Sequence, residues 1–459
     1  MWRTSRINSV LRTLGVLAVA GALTACGLTS SRHSRLDTEW AQFRGPELVA
    51  DDDGGALFER AEELDPVDLV RTVLERNPTI ERARQGWRAA SAKYPQAVAL
   101  DDPWVTYSFA PLSIVSDDVK YGQGVQISQA LPYFGKRRLR GEVALAEAEA
   151  RGQDFRALRQ RLALMAALIY YDYYLVEHAL EINQEHIELL TEDRGVIAIR
   201  MEAGTAWLED ATQIDVDLVN LRQQRLSLEA DRDIVVAQLN ELMHRRADLP
   251  LPKPRLDFEP PAAVSESRAD LVEEAILARP EVRAAHARVG GAESGVSLAD
   301  REFYPDFRIM GTYNGMWPML EHQFMLGIGV ELPLQRRTRH AAVDEAEAKL
   351  AGRKAETEEL HDQIGFEVEK SLRRVKESDE IIVTYRDELL PAARDLVTAN
   401  RIGLDTGRTN FVEVVRAERH VKTLELRYSA AIADAYRRRA ELERAVGRTP
   451  GLLRDGGER

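Results

Sequence analysis

Asp102-Pro103-Trp104-Val105-Thr106-Tyr107-Ser108-Phe109 switches this chain from helical spacing to strict alternation. Val105, Tyr107 and Phe109 fall on one side of an extended backbone and Thr106 and Ser108 on the other; Val125 and Ile127 then alternate with Gln126 and Ser128. The switch happens again farther on. Phe307, Ile309 and Tyr313 stand against Asp306, Arg308 and Thr312, and Phe324, Leu326, Ile328, Val330 and Leu332 against Gln323, Gly327 and Glu331. The pattern predicts two hairpins, over residues 103–132 and 303–333.

The two stretches are landmarks of a duplication. Asn77-Pro78-Thr79-Ile80 returns as Arg279-Pro280-Glu281-Val282, and Asp102-Pro103-Trp104 as Tyr304-Pro305-Asp306, both 202 residues on. Leu131-Pro132 returns as Leu332-Pro333 after 201 residues and Gly204 as Gly407 after 203. One architectural unit of about 200 residues therefore occurs twice. Between the copies, Leu249-Pro250-Leu251-Pro252-Lys253-Pro254 and then Pro260-Pro261 cannot continue a helix and read as a linker. The expected organisation is a leader over 1–25, an extension over 26–65, a first repeat over 66–246, a linker over 247–269, a second repeat over 270–447 and a tail over 448–459.

Outside the hairpins the chain is helical and follows heptads. Leu162, Ile169, Val176, Asn183 and Leu190 stand seven residues apart, with Ala166, Tyr173, Leu180 and Ile187 as the second seam position. Ile214, Leu221, Leu228, Val235 and Leu242 repeat the spacing, as do Val368, Val375, Ile382, Leu389 and Leu396. Helices over 137–200 and 335–402 would reach about 96 and about 100 Å; those over 207–246 and 270–301 would add about 60 and about 48 Å, which end to end match one long helix. Residues 68–98 also carry helical spacing, and Pro391 predicts a local bend in the last long helix.

Composition narrows the function. The 459 residues are 44% apolar and 30% charged with a net charge of -13, which excludes a helical membrane protein and argues against a nucleic-acid surface. The single cysteine, Cys26, excludes a disulfide framework within one copy. It follows Arg3, Arg6, Arg12, the apolar run Leu14 to Leu23, and Thr24-Ala25. That order predicts a lipoprotein leader and lipidation at Cys26, because the run is too short to span a bilayer. Gly27 after the cysteine favours sorting to the outer membrane.

Four strands cannot close a barrel, and lipid tolerates no open edge, so the hairpins demand association of several chains if they enter a membrane. The two strand regions hold 12 of the chain's 30 aromatic residues, as interfacial girdles would. No nucleotide-binding loop, His-Glu-x-x-His pair or Gly-x-Ser-x-Gly elbow occurs, so no enzyme or cofactor is expected. Asp215 and Asp217, two apart on a helix, read as solvent-facing charges. The rival to a channel is a lipid-anchored periplasmic coiled-coil protein, which would not need two aromatic-rich hairpins.

Over roughly residues 65–447 the chain resembles the TolC-like outer-membrane efflux factor family. Gln129-Ala130-Leu131-Pro132-Tyr133-Phe134-Gly135-Lys136 looks like the family's strand-to-helix turn, with Pro333 as its second copy; Leu389-Leu390-Pro391-Ala392-Ala393 resembles a segment shortly before the helical tip. Arg401 to Gly407 with Asn410-Phe411-Val412-Glu413-Val414 is similar to the inter-helix turn at that tip, and Gly204 with Leu208 to Asp210 is the first-repeat equivalent. The family often has an aromatic three residues before each tip glycine; here Met201 and Leu404 stand there. The resemblance implies a homotrimer, mainly α with a small β part, forming a helical barrel continuous with a twelve-strand transmembrane β-barrel. It further implies a passive duct in outer-membrane lipid, a periplasmic adaptor engaging the tips near Gly204 and Gly407, and an inner-membrane pump of resistance-nodulation-division type. Glu202, Asp210, Asp405 and Glu413 are then candidate aperture acids.

Met310, Met316, Met319, His322 and Met325 crowd the second hairpin in a chain with eight methionines. Thioethers suit soft cations such as Cu(I) or Ag(I), and the strand turns resemble the heavy-metal branch of the family. Multidrug or protein export is the alternative cargo assignment.

Overall fold

A computed structural model describes residues 31–43, 58, 61–111, 122–203, 207–315 and 323–450. Among the described residues it is mainly helical, with one four-stranded sheet and one two-stranded parallel pair. In chain order the elements are α1 (Ser31–Gln42), β1 (Glu63–Leu64), α2 (Pro66–Arg76), α3 (Pro78–Ser91), α4 (Lys93–Val98), β2 (Trp104–Phe109), β3 (Gln123–Leu131), α5 (Lys136–Glu202) and α6 (Leu208–Leu242). There follow β4 (Lys253–Pro254), α7 (Arg268–Ala278), α8 (Pro280–Arg301), β5 (Asp306–Asn314), β6 (Phe324–Glu331), α9 (Arg336–Thr384), a π-helical turn (Tyr385–Leu389), α10 (Leu390–Asp405) and α11 (Phe411–Ala445). By packing, the described residues form two compact units, one drawn from 1–44, 85–153 and 283–357, the other from 45–84, 154–282 and 358–459. Each unit takes residues from both sequence repeats.

The first unit contains the four-stranded sheet, in the order β2-β3-β5-β6 with every neighbour antiparallel. Its helices approach closely because small residues stand at the crossings. The ring of Trp87, fully buried, lies where a Cβ on Gly152 would stand 2.9 Å away, and Val98 and Tyr94 crowd Gly141 at 2.5 and 3.0 Å in the same sense. α1 is strapped onto this unit: Arg32 donates two hydrogen bonds to Glu149 at 3.0 and 2.6 Å, His33 stacks on Tyr94 at 4.7 Å, Ser91 donates to Asp37, and Leu36 is buried.

In the second unit the duplication is visible in detail. Sequence spacing predicts unbroken helices over 68–98 and 270–301, but both break at an X-Pro step. Asn77 and Arg279 take extended ψ of 122° and 128°, because the residue before proline is driven out of the α region. Each then reaches back to the end of its repeat's last helix. Asn77 Nδ2 donates to Leu242 O at 2.9 Å, and Arg279 Nη1 donates to Ala445 O at 3.4 Å. Those helices end alike: His244 and Gly447 both have positive φ, and the N–H groups of Arg245 and Arg448 return to Asn240 O and Glu443 O, each at 2.8 Å. Glycine is required only at 447, where a Cβ would meet the Arg279 nitrogen at 3.0 Å.

Pro391 acts through register. Its ring excludes a normal turn, and the helix answers with the π-turn, in which Leu390 N–H donates to Tyr385 O, five residues back. The extra residue shifts the seam by one. Val368, Val375 and Ile382 are buried as the heptad predicts, whereas Leu389 and Leu396 are 41% and 49% exposed and Leu390 is only 6% exposed in their place. The proline thus changes the face that the helix buries.

Adding a branched side chain at either close crossing should overpack the first unit. Gly152→Val and Gly141→Val are each expected to cost about 1–3 kcal/mol, read as a lowered unfolding midpoint in thermal denaturation followed by circular dichroism.

Candidate functional site

Three parts of the structure bear on function, and each is built locally. The first is the sheet. Its register, Trp104↔Ser128, Ser128↔Met310 and Met310↔Gly327, fixes which side chains share a face. One face carries Val105, Tyr107, Phe109, Val125, Ile127, Leu131, Phe307, Ile309, Tyr313, Phe324, Leu326, Ile328 and Val330. Most of these large side chains are exposed, Leu326 and Ile328 at 76% and 77%. Gln123 and Gln129 are its polar members. Tyr107 hydroxyl donates to Gln123 Oε1 at 3.3 Å and Tyr313 hydroxyl to Gln323 Oε1 at 2.9 Å, giving the apolar band a polar margin. The opposite face carries Thr106, Ser108, Gln126, Ser128, Arg308, Thr312 and Glu331, with Trp104, Met310 and Met325 among them. Met310 lies over Gly327 and Gly329: a Cβ at 327 would stand 2.9 Å from its Cγ, and one at 329 would stand 3.4 Å from its Cε. Met316, Met319 and His322 fall outside the described residues. Among the described residues no three His, Cys, Asp or Glu side chains gather as a metal site, and no helix is long and apolar enough to cross a membrane.

The second part is the strand-to-helix junction after Pro132. Gly135 turns with φ 92°, and a Cβ there would strike Arg301 Nη1 at 2.7 Å, the same nitrogen that donates to Phe134 O at 2.6 Å. Lys136, 1% exposed, opens α5 with its ammonium 3.0 Å from Glu302 Oε2 and 2.9 Å from Asp306 Oδ1, and donates to Tyr304 O at 3.2 Å. Asp306 also accepts from Tyr133 N–H at 2.7 Å, and Tyr133 stacks on Tyr304 at 4.7 Å. Arg137 donates to Val98 O and Arg339 to Glu302 O. Sequence reading names Pro132, Gly135 and Pro333 here and misses the role of Lys136, whose partners are more than 160 residues away. Pro333 precedes α9 in the corresponding place, where Leu334 N–H donates to Leu332 O at 2.9 Å.

The third part is the pair of helix reversals. At the second, Gly407 has φ 69° with open space around it; its N–H donates to Leu404 O at 3.2 Å, and that of Arg408 to Gly403 O at 2.8 Å. Asn410 caps α11 by accepting from Glu413 N–H at 3.0 Å, and Asn400 Nδ2 donates to Glu413 O at 3.3 Å. The first reversal contains Gly204, outside the described residues, as is Cys26. Its flanks are described: Glu202 ends α5 exposed, and the Asp210 carboxylate accepts from Trp207 N–H at 3.0 Å, capping α6. Glu413 pairs with Arg416 at 2.6 Å, and Asp405 is the last residue of α10. One apolar cluster joins the two reversals. Leu190, Ile197, Ala211, Ile214, Leu218, Phe411 and Val415 are buried in it, with Met201 and Leu404 packed against them. Met201 and Leu404, which stand where the family often has aromatics, thus serve as core. Trp207, the residue before α6, is 80% exposed.

Beside this cluster α5, α6 and α11 line a half-open cavity of about 230 Å³ with mixed walls, whose polar side chains include Asn183, His186, Asp217, Gln224, Arg419 and Lys422. Asp217 corrects the sequence reading: it is buried and ion-paired with Arg419, while Asp215 remains exposed and pairs with Arg194 at 2.9 Å. Burial first, then Arg419 and Lys422, push the His186 imidazole down to about 4.

Comparison with known proteins follows the same architecture. The sequence model of the family described as outer membrane efflux protein matches residues 69–244 and 271–448. The cobalt-zinc-cadmium resistance protein CzcC of Cupriavidus metallidurans is 22% identical over 283 residues; the match takes in 58% of this chain and 65%, less than two thirds, of that relative. The toluene efflux pump outer membrane protein TtgF of Pseudomonas putida is 23% identical over 395 residues, 82% of this chain and 76% of TtgF. A crystal structure of CusC, described with its transmembrane channel formation, superposes with a TM-score of 0.71 at 16% identity, covering 85% of this chain and 94% of that one. At that identity the likeness speaks for fold alone.

Removing the ammonium at the junction leaves Asp306 without its cation and Glu302 with only the looser Arg140, 3.7 Å away. Lys136→Ala is expected to destabilise the protein by about 1–3 kcal/mol, short of a fully buried pair because Glu302 and Asp306 are partly exposed, checked by denaturant unfolding.

Proposed function

The chain belongs to the outer membrane efflux protein family, and on that premise we propose that it is the outer-membrane duct of a tripartite efflux system. Members of this family are channels and not enzymes; the duct is passive, and energy comes from an inner-membrane pump of the resistance-nodulation-division type through a periplasmic adaptor. The observation that carries the reading is the sheet: among the described residues, four strands, two unpaired edges, one continuous exposed apolar face and one polar face. In lipid every edge must be paired, so three copies would close twelve strands with the apolar face outward and the polar face lining water. Cys26 anchors each chain in the outer membrane. The reversals at Gly204 and Gly407 receive the adaptor, supported by the exposed Trp207 three residues after Gly204 in sequence, and Glu202, Asp210, Asp405 and Glu413 stand around the aperture.

For cargo, we favour heavy-metal cations. Met310 and Met325 share the polar face, the face that lines the barrel in this reading, and glycines opposite Met310 leave it room. The names of the relatives divide between metal ions and toluene, so organic compounds form the second reading.

Purified full-length protein is expected to migrate as a heat-sensitive trimer in detergent and to conduct in planar bilayers; a monomer without conductance contradicts the duct. A deletion strain is expected to lose resistance to metal cations and regain it on complementation, with Met310→Leu plus Met325→Leu reducing the rescue. Sensitivity to dyes and antibiotics alone supports the organic reading.

A further inference from the structure

Asp193 stands nine residues before the end of α5 and Glu418 seven after the start of α11. Both sit among apolar side chains: Leu190 and Ile197 flank Asp193 on its helix, and Val414 and Val415 precede Glu418. Glu418 is 7% exposed. Its Oε1 accepts two hydrogen bonds from Arg401 of α10, at 3.1 and 2.5 Å, while its Oε2 is buried without a partner. Asp193 Oδ2 is likewise buried without a partner, and the two carboxyl groups lie within hydrogen-bonding reach of each other. Ionised, each offers only lone pairs, so the contact is satisfied only by a hydrogen between them.

We propose that Asp193 and Glu418 form a proton-binding site that ties α5 to α11 close to the helix reversals. One proton taken from solvent resides on Asp193 and is donated to Glu418 Oε2; its release leaves two like charges in contact, and α5 and α11 loosen. No other bond is made or broken. Burial first, then the charge of Glu418, push Asp193 up to about 6; Arg401 opposes this and Glu192 adds to it. The sign follows. A carboxyl raised above its unfolded value binds its proton more readily in the folded protein, so its stabilising contribution is complete below about 4 and is lost as pH rises through about 6. Of the nearby groups, His186, seven residues earlier on α5, is held down to about 4, so its own contribution grows as pH rises from about 4 to about 6.5, opposite in sign to that of Asp193, and Asp217 of α6 is ion-paired with Arg419.

The test is hydrogen exchange of the full-length protein carrying His186→Gln, which removes the opposing imidazole, in lipid or detergent at about pH 5 and about pH 7.5, corrected for intrinsic rates. Amides of 190–197 and 414–421 are expected to lose about tenfold protection at the higher pH, one pKa unit's worth, with residues 143–150 of the first unit unchanged. Asp193→Asn, whose amide donates permanently, is expected to remove the pH dependence. Glu418→Gln does the same from the other side and serves if the Asn variant fails to fold. A His186→Gln protein whose corrected protection is flat with pH, or Asp193 and Glu418 variants in that background that keep its slope, overturns the proposal. Transport is not part of the readout, so failure here leaves the duct reading untouched.

Discussion

The rest of the structure answers to an unpaired sheet. Among the described residues β2 and β6 each present a free edge, and the face through Leu326 and Ile328 is apolar and exposed. A chain in water cannot keep such a surface, and a chain in lipid cannot keep such edges. Association of copies removes both objections at once. The helices make the same demand: Val216, Val219, Leu226 and Ile234 leave an exposed apolar stripe along α6, although its ends at Ile214 and Leu239 are buried within the single chain. The single chain is thus an incomplete packing unit in both its strands and its helices.

Passing from strand to helix is the sharpest local problem, since the hydrogen-bonding pattern and side-chain period change within four residues. The junction solves it with charge inside the protein. Lys136 bridges Glu302 and Asp306 from buried ground, and Asp306 in turn holds the Tyr133 N–H that has left the sheet. Gly135 is needed twice over, for its positive φ and for the Arg301 guanidinium beside it. At the far landmarks of each repeat, Asn77 and Arg279 use different side chains for the same task of closing a helix end.

Periodicity made much of this legible before any coordinates. The alternation at Val105 to Phe109 and at Phe324 to Val330 predicts the strands and their apolar face, and the heptads predict helices such as α5, 67 residues and about 100 Å long. What periodicity could not carry is whatever depends on partners distant in sequence or on a single inserted residue. The shift of burial from Leu389 to Leu390 needs the π-turn, the break before Pro280 was hidden in a helical pattern, and the ion pairs of Lys136 and Asp217 join residues 166 or more positions apart. Of the candidate sites, the glycine at 407 was readable from its turn chemistry. The carboxyl pair of Asp193 and Glu418 was not, because nothing local distinguishes either from a solvated helix charge.

The central claim is that the two faces of the sheet meet lipid and water respectively, and labelling along β6 tests it most directly. Single cysteines at positions 325 to 330, in full-length protein reconstituted in bilayers with Cys26 accounted for by a parent control, would be probed with a lipid-phase and a water-soluble thiol reagent. The account predicts alternation: positions 326, 328 and 330 accessible from lipid, and 325, 327 and 329 from water. Uniform water accessibility along the strand, or the opposite alternation, would contradict it.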